Sequence, residues 1–281
     1  MGCGAGSATE AEARGADSTG RLRPIQQRPT GLRGPGAEGV EVGDRVLVPA
    51  GFAEEAVVQA RRATRLPDSV SFETAVAFGG NYATAYYALQ RGRLEAGETL
   101  LVLGAAGGVG LAAIEIGKAM GAKVIACASS ADKLAVCKQH GADAGIDYAK
   151  EDLRERIKEL TGGKGVDVIY DAVGGPYTEP AFRSIAWRGR LLVIGFAAGD
   201  IPKLPLNLAL LKGASIVGVF WGDFARREPK SFAESARQLT QWYREGKLRP
   251  HVSATFPLEK AAEAMNLLAS RQAKGKVVIV P

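Results

Sequence analysis

The chain of 281 residues has few of the side chains that bind metals or form covalent cross-links. It contains 3 cysteines and 2 histidines, and no two cysteines follow a Cys-x-x-Cys spacing. A structural zinc site takes about four well-spaced Cys or His ligands, and a disulfide scaffold needs paired cysteines. The sequence therefore argues against both and predicts a protein that binds no metal. Free thiols favour a reducing compartment.

Long hydrophobic runs and blocks of basic charge are also lacking. No window approaches the roughly 20 consecutive apolar residues of a membrane span, so a soluble protein is predicted. The formal net charge is +6, but basic and acidic residues alternate along helical stretches instead of clustering with aromatics. This pattern is typical of solvated helix surfaces and disfavours a nucleic-acid partner. RNA binding through the basic surface remains the weakest hypothesis.

Residues 1–38 contain almost no large apolar side chains and are dominated by Gly, Ala, Arg, Pro and Ser. Such a stretch cannot bury enough surface to offset its ordering entropy, so we expect a disordered leader. Its arginines suggest a mitochondrial transit peptide, although its acidic residues argue against one. The Met-Gly start resembles a myristoylation site, but Gly6 replaces the expected Ser or Thr. We predict a cytoplasmic location, with the mitochondrion as the alternative.

The rest of the chain predicts an α/β fold. Two short β-type runs, Arg45–Val48 and Phe52–Val58, precede a helix that begins at Ser71, and six apolar runs then alternate with helical patterns up to Gly222. One of these patterns predicts a helix over residues 181–187. This alternation is typical of a doubly wound parallel sheet, the Rossmann class. A last helix near residues 230–245 and two terminal strands around helix 259–271 are expected to fold back onto residues 40–60.

The stretch "LGAAGGVG", residues 103–110, lies between an apolar run and an amphipathic helical pattern. It follows Gly-x-Gly-x-x-Gly except for an alanine at the first position. Gly107 would let the backbone approach a pyrophosphate, and Gly110 would let helix and strand pack closely. The amides of Gly108 and Val109 would lie at the start of the helix, where they can bind an anion. This context predicts a dinucleotide site; a glycine turn needed only for packing is the alternative.

The end of the second strand of this unit indicates which dinucleotide is bound. An NAD site carries Asp or Glu there to bind the ribose hydroxyls, but this chain reads "ASSADK", residues 128–133. Ser129 and Ser130 leave room for a 2′-phosphate, and Lys133 can neutralise it. Asp132 is expected in the first turn of the next helix, where it complements the helix dipole. The sequence therefore favours NADPH over NADH.

Several motifs occur in one order along residues 39–281: "VGDRV", "TAYYAL", "GAAGGVGLAAIEIGKAMGAKVIACASSADK", "GADAGIDY", "GVDVIYDAVGG" and "GKVVIVP". With them the chain resembles the zinc-free medium-chain dehydrogenases/reductases, and among these the NADPH:quinone oxidoreductase-like proteins. The resemblance implies a GroES-like, mostly antiparallel β domain, a Rossmann domain, and hydride transfer from NADPH to a quinone or an enone. We therefore divide the chain into four predicted regions: a leader (1–38), a remnant of the β domain (39–83), the Rossmann domain (84–222), and a segment that returns to the β domain (223–281).

The resemblance also implies a cofactor-binding set. Besides Gly107, Gly108, Val109 and Gly110 at the pyrophosphate, it comprises Asn81 and Thr84 near the nicotinamide, Ser129, Ser130, Lys133 and Tyr148 around the 2′-phosphate, Phe196, Phe220, Trp221 and Gly222 lining the nicotinamide pocket, and Lys276 returning from the terminal strands. The two phenylalanines could equally be core residues, and Tyr148 an ordinary strand end. No catalytic triad or carboxylate pair is present, so the catalytic residues stay unknown.

In one region the chain departs from the family. The antiparallel segment that normally ends in "GxExxGxV" before "VGDRV" has no counterpart in residues 1–38, so part of the substrate pocket is expected to be lacking. Two functions stay open: a reductase of quinones or activated alkenes, or an NADPH-binding regulatory or inactive homologue. The run "ASIVGVFWG" is expected at the sheet edge. Because apolar edges tend to be covered by a partner, we predict an edge-to-edge homodimer.

Overall fold

Two compact units make up the part of the protein that the structure, a computed structural model, describes: residues 38–49 and 52–280. The smaller unit contains described residues 38–49, 52–77, 252–272 and 277–280, and the larger unit contains residues 78–251 and 273–276. The predicted disordered leader, apart from Glu38, lies outside the described residues. The domain limits predicted above stay a prediction.

The elements follow the predicted order closely. The strands are β1 (Val46–Leu47), β2 (Thr64–Arg65), β3 (Thr99–Leu103), β4 (Lys123–Ala128), β5 (Ala144–Asp147), β6 (Val166–Asp171), β7 (Ile185–Val193), β8 (Ser215–Gly218), β9 (Val252–Pro257) and β10 (Lys276–Val280). The helices are α1 (Phe72–Arg91), α2 (Gly108–Ala119), α3 (Ala131–Gln139), α4 (Leu153–Leu160), α5 (Thr178–Arg183), α6 (Asn207–Lys212), α7 (Trp221–Arg227), α8 (Pro229–Arg244) and α9 (Ala261–Ala269). Across the described ranges, no helix combines the length and apolar character that crossing a membrane requires. The predicted location stays a prediction.

The six strands β3 to β8 form one parallel sheet in the spatial order β5-β4-β3-β6-β7-β8. Counted from β3, this is the 3-2-1-4-5-6 order of dinucleotide-binding folds. The predicted α/β, Rossmann-type fold class is therefore confirmed. Neighbouring strands end in register: Leu103 pairs with both Cys127 and Asp171, and Asp171 pairs with Val193. The turns that follow these strands therefore all leave the sheet at the carboxyl end of the strands.

Both faces of this sheet are buried, which explains the continuous apolar runs of its central strands. Alternate side chains of β3 enter two different cores. Leu100 and Val102 pack in the cluster that includes Ile114 of α2. Leu101 and Leu103 pack in the opposite cluster with Ile157 of α4 and its neighbours. Because helices cover both faces, neither set of strand residues reaches solvent.

Helix ends agree with the sequence signals. Ser71 Oγ accepts a hydrogen bond from the amide of Thr74 at 3.1 Å, so Ser71 caps α1 as predicted. Gly121 and Gly141 follow α2 and α3 with φ of 85° and 102°, the left-handed conformation that a glycine after a helix provides. Asp152 caps α4 by accepting from the amides of Arg154 and Glu155. These caps fix where each crossover helix begins and ends.

Two predictions of local structure were wrong. Residues 52–58 contain no strand, because the described chain offers them no partner strand and no core; Val57 is fully exposed. Instead, β1 pairs antiparallel with β2. The helix predicted over residues 181–187 ends at Arg183, because Ile185 is buried as the first residue of β7 and pairs with Val166.

The terminal strands do return to the smaller unit, but not by pairing with β1. Strand β9 pairs with β10. The contact with the first strand is made by side chains, since Val252, Val278 and Val280 share a hydrophobic cluster with Leu47 and Phe72. The predicted small antiparallel element is therefore confirmed as paired β1 and β2, while the terminal strands join it through packing.

Candidate nucleotide-binding site

The glycine loop connects buried strand β3 to the first turn of α2, as predicted. Gly104 has a φ of 70°, and the amide of Gly107 donates to its carbonyl at 3.1 Å. Gly107 then serves as N-cap residue without a side chain, and its own carbonyl accepts from the amide of Leu111 at 2.9 Å. The amides of Gly108 and Val109 precede the first intrahelical bonds, so they point out of the helix start, where an anion is favoured.

Two glycines at the start of α2 lie close to other groups, and at Gly110 these groups are backbone atoms. A Cβ at Gly110 would lie 2.6 Å from the carbonyl oxygen and 2.7 Å from the carbonyl carbon of Ala105, and closer still to the carbonyl oxygen of Gly104. A Cβ at Gly108 would lie 2.5 Å from Nδ2 of Asn81. The buried Asn81 of α1 therefore covers the first turn of α2. A loop of small residues with outward amides is the kind of cradle that fits a pyrophosphate.

The turn after β4 carries the side chains predicted to bind a 2′-phosphate. Lys133 Nζ donates to Ser129 Oγ at 2.9 Å. Ser130 is the N-cap residue of α3, and its hydroxyl bonds the carboxylate of Asp132 in the first helical turn, where the sequence placed it. Tyr148 is brought to the same turn because its amide donates to the carbonyl of Ala128 at 3.1 Å.

A second lysine at this turn was missed by the sequence reasoning. Lys274 Nζ forms an ion pair with Asp132, and hydrogen bonds from Lys274 and Ser130 hold the pKa of that carboxyl well below its usual range. The next residue, Gly275, donates its amide to the carbonyl of Ala106 at 2.8 Å and bridges to Gly107. The segment 273–276 thus lies along the glycine loop. The only sequence signal was its position two residues before Lys276.

Aromatic side chains line a cavity of about 530 Å³ beyond the ends of β7 and β8. Phe196 and Phe220 both line it, and they are 40% and 65% exposed, so they are not core residues. Tyr87 and Phe224 complete the aromatic wall and stack with ring centroids 4.0 Å apart. The aromatic wall suits a planar ring system, and the charged residues Asp223, Arg227 and Glu228 also line the cavity.

The predicted residues are only partly brought together. Asn81, the glycine loop and the segment before Lys276 meet at α2, and Tyr148 joins the serine and lysine turn after β4. The backbone amide of Lys276 donates to the carbonyl of His251 at 3.1 Å. Thr84 lies one turn beyond Asn81 on α1, and Trp221 and Gly222 begin α7 without lining the aromatic cavity. Their assignments to a cofactor stay predictions.

Known proteins are similar to this chain in sequence and in fold. Residues 108–241 match the family described as zinc-binding dehydrogenase. The chain is 41% identical over 244 residues to a quinone oxidoreductase-like protein 2 homolog of Nematostella vectensis, covering 84% of this chain and 67% of that protein. It is 35% identical over 276 residues to a Pseudomonas aeruginosa quinone oxidoreductase, covering 92% and 85%.

A solved structure gives the same result. Escherichia coli quinone oxidoreductase, crystallised in complex with NADPH, matches with a TM-score of 0.80 at 32% identity, over 88% of this chain and 78% of that chain. The chain belongs to the quinone oxidoreductase-like medium-chain dehydrogenases/reductases. The resemblance predicted from its motifs is thereby confirmed.

The zinc in the family's description finds no matching ligands in the described residues of this family member. Within residues 38–49 and 52–280, no three His, Cys, Asp or Glu side chains are grouped to hold a metal ion. Cys127 and Cys137 are buried in the hydrophobic cores, and burial raises the pKa of the Cys137 thiol to about 12. The predicted lack of a metal stays a prediction.

A buried polar cluster surrounds Glu115 of α2 in this quinone oxidoreductase-like chain. Glu115 of α2 accepts hydrogen bonds from the hydroxyl of Tyr82 at 2.6 Å and from the amide of Arg249 at 2.8 Å. Its other oxygen lies 2.6 Å from Nδ1 of His140. Burial, and then the charge of Glu115, raise the pKa of Tyr82. Sequence reasoning missed this cluster, although Glu115 is a charged residue within the apolar run "LAAIEIG".

The two histidines of the chain meet at this cluster. The ring of His251 packs edge-on against His140 with centroids 5.3 Å apart. Burial, and then the neighbouring His140, lower the pKa of His251, and the Glu115 charge opposes this only in part. The backbone carbonyl of His251 also accepts a hydrogen bond from the amide of Lys276. The cluster therefore connects α2 to the segment beside the glycine loop.

Gly110→Ala tests the close approach at the loop. The new Cβ would meet backbone carbonyls that cannot move without opening the turn, so we expect a loss of about 1–3 kcal/mol in the free energy of unfolding and loss of nucleotide binding. Urea unfolding and calorimetry measure the two effects. Gly80→Ala is the control, because nothing lies within 4 Å of a Cβ there. Equal behaviour of the two variants would contradict the argument.

The lowered pKa of His251 predicts a pH dependence of stability. The unfolded chain, with a histidine pKa of about 6.5, binds a proton more readily than the folded chain. The free energy of unfolding should therefore be highest above that value and fall as the pH drops below it, by less than about 1 kcal/mol per pH unit for a part-exposed group. Urea unfolding between neutral and mildly acidic pH should show a shallower fall in His251→Gln. Identical slopes in both proteins would refute the assignment.

Proposed function

We propose that the protein is an NADPH-dependent reductase that transfers hydride to a quinone or an activated alkene. The observation that carries the proposal is the turn after β4, where two serines and Lys133 stand in place of the carboxylate expected of an NAD site. The Lys133 ammonium lies 2.9 Å from Ser129 Oγ. A charged donor and a hydroxyl side by side suit a phosphate monoester. The NADPH complex of the E. coli relative supports the same cofactor.

In this proposal each turn at the carboxyl edge of the sheet holds one part of the cofactor. The outward amides of Gly108 and Val109 bind the pyrophosphate, and Asn81 closes the cradle from α1. Tyr148 borders the adenosine end, where its ring packs against Tyr177 with centroids 4.3 Å apart. When bound, NADPH supplies the hydride from its nicotinamide ring.

The aromatic cavity is the proposed place for the reacting rings. Phe196, Phe220 and Phe224 offer flat apolar surfaces against which a bound ring could stack. Asp223 also lines the cavity and forms ion pairs with Arg226 and Arg227 at 2.8 Å each. Hydride transfer depends mainly on holding donor and acceptor in register in a dry site. The chain therefore needs no nucleophile here, and no residue is assigned a direct chemical step.

Turnover is tested with NADPH and phenanthrenequinone. We expect NADPH absorbance in the near ultraviolet to fall only when enzyme and quinone are both present. NADPH binding by calorimetry without such consumption would overturn the reductase proposal and favour an NADPH-binding regulatory homologue.

Lys133→Glu tests the cofactor assignment. Replacing the cation by an anion at a 2′-phosphate should weaken NADPH binding about tenfold or more beyond any loss for NADH, which lacks that phosphate. Dissociation constants from calorimetry measure the difference. Lys138→Glu, an exposed charge reversal on the same helix α3, should leave the ratio unchanged. Equal losses for both cofactors in Lys133→Glu would mean that the 2′-phosphate binds elsewhere.

We further propose that two copies of the chain pair through β8. This strand ends the sheet order, so one side of its backbone has no partner strand among the described residues. Its Ile216 is exposed, and Leu206, Leu210 and Leu211 are exposed on and beside α6. Pairing of two copies about a two-fold axis would give the free backbone groups of β8 hydrogen-bond partners and would cover these side chains.

Ile216→Asp tests this pairing. A carboxylate at the edge would have to be buried in the dimer, so we expect the wild type to sediment as a dimer and the variant as a monomer. Ile201→Asp, at another exposed isoleucine outside β8, should remain dimeric. A monomeric wild type would disprove the proposal.

A further inference from the structure

The ion pair between Lys274 and Asp132 joins two distant parts of the sequence at the adenosine end of the proposed site. Asp132 belongs to the first turn of α3, whereas Lys274 lies in the segment that joins α9 to β10. One oxygen of Asp132 bonds the Ser130 hydroxyl and the other bonds the Lys274 ammonium. This carboxylate therefore shares Ser130 with the phosphate that the turn is proposed to bind.

We propose that Lys274 is a specificity-determining residue, which allows the turn to accept a 2′-phosphate by neutralising Asp132. The inference rests on the proposed NADPH function and deepens it. Without Lys274 the turn carries one carboxylate and one ammonium, from Asp132 and Lys133. With Lys274 it carries a net positive charge, which suits a phosphate monoester of about −1.5 to −2.

The backbone next to Lys274 is held by contacts outside the α3 turn. Its neighbour Gly275 has a φ of 104°, and the Gly275 amide donates a hydrogen bond to the carbonyl of Ala106 at 2.8 Å. A Cβ at Gly275 would lie 2.6 Å from Cδ2 of His251, so the backbone is closely confined there. The same segment therefore lies against the glycine loop and places the Lys274 ammonium beside Asp132.

The carboxylate has two opposite effects in this turn. A negative charge in the first turn of α3 is favoured by the helix dipole. The same charge repels a phosphate bound at Ser129 and Ser130, and it occupies the Ser130 hydroxyl. Lys274 removes the repulsion while leaving the carboxylate at the helix start. Because both side chains are partly exposed, salt should weaken this coupling.

A double-mutant cycle tests the proposal. Dissociation constants for NADPH and NADH are measured by calorimetry at low and high salt for the wild type, Lys274→Ala, Asp132→Asn and the double variant. Lys274→Ala should weaken NADPH binding about three- to tenfold at low salt and NADH binding less than about twofold. In the Asp132→Asn background, the same replacement should weaken NADPH binding by a factor at least about twofold smaller than in the wild type.

Lys118→Ala is the matched control. Lys118 pairs with Asp143 at 2.8 Å and is about as exposed as Lys274. However, this pair joins the end of α2 to the residue before β5, so it lies at the amino end of the strands, away from the proposed site. Its loss should leave both dissociation constants unchanged. Thermal unfolding of all five proteins checks that each is folded.

Each outcome decides between the two proposals. If the wild type prefers NADPH but Lys274→Ala weakens both cofactors equally, or costs as much in the Asp132→Asn background as in the wild type, the inference is wrong and the proposed function stands. If the wild type binds NADH as tightly as NADPH, the NADPH preference is wrong and the inference fails with it. Selective, salt-sensitive weakening that shrinks in the Asp132→Asn background supports both.

Discussion

The close contact between α2 and the end of β3 is the constraint on which the site depends. With glycine at position 110, the helix backbone can pack against the carbonyls of Gly104 and Ala105, which fixes where the helix starts. The neighbouring strands end in register with β3. The turns after these strands therefore leave the sheet at the same end as the first amides of α2.

The same helix also explains the buried cluster around Glu115. Because α2 is covered by α1 and by the segment that follows α8, Glu115 is buried, and a buried carboxylate is tolerated only with several donors. Tyr82, His140 and the amide of Arg249 supply polar partners. These contacts tie α1, the end of α3 and residues 249–251 to one helix. Through His251 they extend to the segment beside the glycine loop.

Local patterns predicted most of the sheet, because alternation, caps and the glycine motif act over a few residues. The caps at Ser71 and Gly121 and the burial of both faces of β3 follow from such patterns. The strand predicted over residues 52–58 was wrong because a β-type run forms a strand only beside a partner. Contacts such as Lys274 with Asp132 or Glu115 with His140 depend on tertiary folding, so no local pattern contained them.

The ion pair at Asp132 refines the rule used to distinguish NADPH from NADH sites. That rule looks for a carboxylate at the end of the second strand, and by sequence the turn after β4 has none. In space, however, Asp132 bonds the very serine that would bind the phosphate. The turn is electrostatically suited to a 2′-phosphate only when the segment from residue 273 to 276 is included. In the proposed site, then, part of the positive charge that would favour NADPH is supplied from outside the βαβ unit.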